Sequence, residues 1–143
     1  MEIHDKILKK FGYPESIIKE YKYWSWLLRP KQITLGSSVL ICNNYYENFS
    51  DLPKENFLEL TDIIFEIESK LKSLFSYKKI NYLMLMMEDP TVHFHVIPRY
   101  DRNMQYRSKI FKDPGYPNAP DLGYINDCTL KEFIYIKKTI SNF

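Results

Sequence analysis

From Pro53 to Phe75 the apolar residues Phe57, Leu60, Ile64, Ile67, Leu71 and Leu74 recur at steps of three and four. That is the period of one face of an α-helix. Glu55, Glu59, Glu66, Lys70 and Lys72 mostly occupy the other sides, and Pro53 suits the first turn because the N–H it lacks is not needed there. The apolar residues around this helix are grouped as strands. YWSWLLRP, at 23–30, reads as a strand stopped by Pro30, and ITLGSSVLIC, at 33–42, resumes as a strand after Gly36. KINYLMLMM, at 79–87, reads as a largely buried strand. Glu88-Asp89-Pro90 turns the chain, and 91–98 form the next strand. Residues 4–21 predict one or two short helices broken at Gly12-Tyr13-Pro14. Thr129-Leu130-Lys131-Glu132 is a capping-box pattern that opens a last helix. One long helix between two hairpin-like strand pairs predicts an α+β fold with an antiparallel sheet.

Composition narrows the class. The chain has 143 residues, 45% of them hydrophobic and 16% aromatic, which suits one domain with a real core. The formal net charge of +2 is too balanced to argue for nucleic acid, while a small anionic ligand needs only a few local cations. Cys42 and Cys128 lie far apart, with no CxxC or Cys/His zinc spacing. Reduced thiols are therefore expected. No apolar run approaches the roughly 20 residues of a membrane span, and the acid-bearing N-terminus lacks the apolar centre of a signal peptide. The expected location is cytoplasmic, with no membrane partner.

The chemistry gathers at PTVHFHVIPRY, residues 90–100, which holds two of the three histidines. Alternation along a strand turns Thr91, His93 and His95 to one face, and Val92, Phe94 and Val96 to the other, under the helix. An ordinary half-exposed strand has the same pattern. The functional readings are a nucleophilic imidazole assisted by its neighbour, or a metal pair completed by Glu88 or Asp89. Zinc usually takes a third protein ligand, and the remaining histidine, His4, lies in the N-terminal segment with no evident tie to the site.

Thr91-Val92-His93-Phe94-His95-Val96-Ile97-Pro98-Arg99 resembles the His-φ-His-φ-His-φ-φ motif of the histidine triad superfamily, with its frequent Pro-Arg continuation. GSSVLICNNYYENFSDL resembles that family's glycine-led strand and the acidic turn before its long helix. WSWLLRPKQITLGS and DPGYP are similar, more weakly, to a bacterial branch. The resemblance covers roughly residues 25–105. It implies a single domain over 1–143, with an antiparallel sheet of about five strands, one long helix and shorter terminal helices. The motif-bearing core would span about 25–105, after an N-terminal helical extension at 1–21 and before a C-terminal loop and helix at 106–143. It further implies a nucleotide hydrolase or nucleotidyl transferase acting at the α-phosphate of a nucleoside phosphoester, phosphoramidate or dinucleoside polyphosphate. His93 maps to the residue that forms the nucleotidyl-histidine and His95 to the one that helps bind phosphate. The attacking ring would be held by the carbonyl of Thr91. No metal or organic cofactor is implied, and a homodimer is expected.

The chain departs from the pattern at several points. Thr91 stands where the first motif histidine would be, and Ser37 where a supporting upstream histidine would be. The amide usual on the preceding strand is absent from 85–87, and the loop before the motif is shortened to Glu88-Asp89-Pro90. Thr91 and Ser37 remain candidate hydrogen-bonding groups for phosphate, without a proton that moves near neutral pH. Arg29, Lys31, Arg99, Arg102 and Arg107 are the nearby cations, and Arg99, on the histidine face, is the first candidate for the phosphate. Trp24, Trp26, Tyr45 and Tyr46 are either base-stacking residues or core and dimer contacts. These departures keep open an alternative, a catalytically weak or inactive nucleotide-binding or interaction module on the same fold.

Overall fold

A computed structural model describes residues 3–143. Of the expected helical extension, residues 1 and 2 lie outside the described residues. Its helix, α1, spans Ile3–Lys10. The remainder differs from expectation, because Ile17–Glu20 forms a strand, β1. Its SIIKEY context has helix-like spacing, yet Ile17, Lys19 and Glu20 pair with Leu27, Trp26 and Ser25 of the next strand, and that pairing satisfies the backbone groups a short isolated helix would leave open.

The main sheet also contains β2 (Trp24–Leu28), β3 (Ser38–Cys42), β4 (Lys79–Leu83) and β5 (His93–Arg99). The strand order is β1-β2-β3-β5-β4, and every pair is antiparallel. The α+β architecture with a five-stranded sheet is therefore as the sequence predicts. The strand expected over 79–87 ends at Leu83 and lies at the sheet edge, partly rather than fully buried. A small hairpin, β6 (Met104–Tyr106) with β7 (Lys109–Phe111), follows β5.

One face of the sheet carries Trp24, Trp26, Leu40, Cys42 and Val96 against helix α2 (Lys54–Phe75). The buried positions of α2 are Asn56, Leu60, Ile63, Ile67, Leu71 and Phe75. The stripe is thus turned slightly from the expected one. Phe57 is exposed, and Ile64 and Leu74 flank the contact. Each fully buried Leu or Ile here contributes about 1.5–3 kcal/mol. Asn56 is tolerated inside because its side-chain amide donates to Cys42 Sγ at 3.2 Å, and its backbone carbonyl accepts the Trp24 Nε1–H at 3.0 Å. Helix α3 (Leu130–Ser141) begins with the predicted capping box and packs on β1 and α2.

The other face carries Leu27, Val39 and Ile41, covered by Ile7 and Phe11 from α1 and the residue after it. Cross-strand pairing sets His93 opposite Ile41, and His95 between Val39 and Leu83. The histidines therefore share a face with a second, smaller core.

Candidate functional site

His93 is only 2% exposed, so the reading of two free surface histidines on an ordinary strand does not hold. The two rings are 5.0 Å apart and nearly perpendicular. Phe11 lies against both, at 6.4 Å from His93 and 5.9 Å from His95. The N-terminal segment is thus tied to the site after all, through Phe11 and Lys10. The only sequence signal for this was the i, i+4 spacing of Ile7 and Phe11.

The partners of the two rings fix their tautomers. His93 Nδ1 lies 2.7 Å from the carbonyl oxygen of Thr91. A carbonyl only accepts, so Nδ1 carries the proton and Nε2 presents a lone pair. The carbonyl is held in place because Val92 donates its N–H to Tyr46 and accepts from the Cys42 N–H, both at 3.0 Å. His95 Nδ1 lies 2.7 Å from Arg29 Nη1. A guanidinium only donates, so this Nδ1 accepts and the proton sits on Nε2. One ring offers a lone pair and its neighbour offers an N–H.

Both rings are kept neutral. Burial pushes His93 below its ordinary 6.5, opposed by the bond to Thr91. Burial, then the Arg29 charge, then His93 itself lower His95 to about 4. Burial also lowers Arg29 from its ordinary 12.5. Among the described residues this guanidinium has no carboxylate partner, and its buried Nε–H has no acceptor. It stacks over Phe11 at 5.5 Å.

Arg29 is aimed by the loop that follows β2. Gln32, fully buried, donates its amide to the carbonyls of Arg29 (2.7 Å) and Ser37 (2.8 Å) and accepts from the Gly36 N–H. Gly36 has φ +86°, and a Cβ there would come within 3.2 Å of the Phe75 ring, so glycine is required by both backbone and space.

The histidines, Arg29 and Lys31 line a cavity of about 560 Å³. Its apolar walls come from Leu85 to Met87 on one segment and Leu122 and Ile125 on another. Lys10, Glu88 and Asp89 also line it. Lys10 Nζ donates to Glu88 Oε2 at 3.0 Å and to Asp89 Oδ2 at 2.7 Å. The bond to Asp89 raises the ammonium above its ordinary 10.5.

Three of the four residues expected to bind phosphate are not brought to this cavity. Ser37 is fully buried in a turn, where its Oγ accepts the Thr34 N–H at 2.9 Å and meets the Thr34 hydroxyl, which donates to the Pro98 carbonyl. Thr91 is fully buried and its Oγ1 has no hydrogen-bond partner. It serves the histidines through its carbonyl alone. Arg99 lies at the far end of β5 and is only 3% exposed. There it binds Asp113 at 2.7 and 3.1 Å, Asn81 at 2.8 Å and the Asn118 carbonyl at 2.8 Å. Trp24 and Trp26 are core residues. Tyr45 and Tyr46 do not line the cavity. Among the described residues no three His, Cys, Asp or Glu side chains converge as a metal site.

The fold is that of histidine triad proteins. A histidine triad protein from Sinorhizobium meliloti matches with a TM-score of 0.76 and 18% identity, over 96% of this chain and 93% of that one. One from Marinobacter aquaeolei matches with a TM-score of 0.74 and 19% identity, over 97% and 92%. A hypothetical histidine triad nucleotide-binding protein from Sulfolobus tokodaii matches with a TM-score of 0.69 and 14% identity, over 98% and 89%. No protein-family model and no curated protein matches the sequence. No helix of the described residues is long and apolar enough to cross a membrane.

Proposed function

We propose that this protein is a histidine triad enzyme, a nucleotide hydrolase or nucleotidyl transferase acting at an α-phosphate. Its substrate is a nucleoside phosphoester, phosphoramidate or dinucleoside polyphosphate. One observation carries the proposal: two neutral imidazoles in opposite tautomers stand beside a buried guanidinium that lacks an anion. A phosphate supplies that anion.

In the first step His93 Nε2 gives its electron pair to the α-phosphorus. The N–P bond forms as the bond to the leaving group breaks, and the leaving oxygen or nitrogen takes the electron pair. Arg29 stabilises the non-bridging oxygens where charge gathers. His95 Nε2–H donates to a phosphate oxygen or to the departing atom. In the second step water, or another acceptor hydroxyl, attacks phosphorus and releases its proton to solvent, the N–P bond breaks, and the pair returns to His93. Splitting one displacement into two lowers each barrier. The clamp proposed is Arg29 with His95; Ser37, Thr91 and Arg99 support the scaffold.

Intact-mass measurement after brief mixing with adenosine 5′-phosphoramidate or diadenosine polyphosphates tests this, with His93→Ala alongside. The expected result is a nucleotidyl adduct or released AMP with the wild type and neither with the variant. Full turnover by His93→Ala overturns the mechanism.

The rival is a nucleotide-binding module with little turnover. Thr91 in place of the first motif histidine favours it, because its buried hydroxyl offers no proton-carrying group to the cavity. AMP binding without any turnover would select it. The resemblance also carries the proposal of a cytoplasmic homodimer. β4, at the sheet edge with one ladder side open, supports it. Light scattering on the eluting protein measures the mass.

A further inference from the structure

The cavity wall holds a contradiction for a phosphate site. Two carboxylates line the same space as Arg29 and the histidines, and both are bound by one ammonium. Lys10 is at the end of α1, whereas Glu88 and Asp89 close the segment after β4. The ion pair therefore spans two units separated by 78 residues of chain, and it bridges them beside the cavity they both line.

The Glu88 half of the pair is built to open. Lys10 and Glu88 keep 44% and 85% of their side chains exposed, and solvated pairs of this kind hold weakly, whereas Asp89, 20% exposed, holds Lys10 at 2.7 Å. The segment they hold is under tension. Met86 has φ +51°, a left-handed conformation costly for a residue with a side chain. Met87 is 88% exposed beside it, with little packing to hold it down.

We propose that Lys10 is an exchangeable cation. In the free protein it clasps Glu88 and Asp89, and when a phosphate group occupies the cavity it transfers to that phosphate. The proposal rests on the reading of this cavity as a phosphate site. A phosphate dianion matches the combined charge of the two carboxylates, and Glu88, 85% exposed, returns to water at little cost. The ammonium then supplies the second positive charge that neither Ser37 nor Thr91 can supply. Lys10 is thus a binding residue for the anion, and the two acids set a threshold that weakly charged ligands do not pass.

Calorimetric binding of AMP to four proteins tests this: wild type, Lys10→Gln, the pair Glu88→Gln with Asp89→Asn, and all three changes together. Loss of one charge-assisted contact to phosphate weakens AMP binding about tenfold in Lys10→Gln. Neutralising the two acids frees the ammonium and tightens binding several-fold, and the gain disappears when Lys10 is also replaced. That non-additivity is the signature of exchange. Unchanged affinity in Lys10→Gln overturns the proposal. So does an equal gain from the acid substitutions with and without Lys10, which would be plain removal of repulsion. If neither AMP nor inorganic pyrophosphate binds the wild type, the phosphate reading itself fails and takes the exchange with it. Binding that is intact but indifferent to Lys10 removes the exchange alone.

Discussion

The two ends of β5 treat their polar groups in opposite ways. At its C-terminal end Arg99 is enclosed with Asp113, Asn81 and a backbone carbonyl, and its guanidinium has little left to offer. At its N-terminal end His93 and His95 lie beside Arg29, whose charge is met only by a neutral ring and an aromatic face. Both arginines are substantially buried. One is a finished ion pair and the other is half of one. A satisfied cluster holds a fold together, whereas an unsatisfied one at a cavity wall waits for a ligand.

The largest way to break the comparison is at His93, the proposed nucleophile. His93→Ala is expected to lower turnover of adenosine 5′-phosphoramidate on the order of 10⁴-fold, with the unfolding midpoint little changed. Arg99→Ala should act on the other quantity. Breaking a buried ion pair costs about 3–5 kcal/mol, read by denaturant unfolding; lost activity with intact stability would place Arg99 in the site instead. Arg29→Ala should lower kcat/KM about 10²–10³-fold, the usual effect of losing one transition-state donor, while costing little stability.

Acid titration sharpens the contrast without mutation. The unfolded chain binds a proton on a histidine near 6.5, whereas folded His95 does so only at about 4. Between those values the unfolded state holds more protons, so stability falls as pH falls through that window and the loss is complete below it. His95→Gln should flatten that part of the stability curve. The acid limb of kcat/KM should likewise lie below pH 6.5, because burial lowers His93. The smallest expected effect is Thr91→Val. It removes a buried hydroxyl without a partner, so stability should hold or rise slightly and kcat/KM should stay within about twofold.

The sequence made some of this legible for definite reasons. Helix α2, the strand bearing His93 and His95, and the capping box at Thr129 are local patterns repeated over enough residues to be read. The carbonyl lock on His93 was also legible by resemblance, since it needs only the backbone two residues back. β1 was not legible, because four residues with helix-like spacing reveal their pairing only in the sheet. Nor was the Arg29–His95 contact, which joins positions 66 apart in sequence. Alternation correctly put Arg99 on the histidine face but says nothing of Asp113, arriving from a later loop to claim it. The resemblance offers Ser37 for phosphate, whereas its burial against Thr34, in the turn that Gln32 holds, is announced by no motif.

The Thr91 carbonyl bears on how the site is encoded. Because the His93 ring is oriented by a main-chain oxygen, the side chain at position 91 has no part in that task. Any residue that packs there in the same backbone conformation leaves the ring undisturbed. The orientation is written in the path of the chain rather than in one side chain, so a motif can lose a letter while the ring keeps its place.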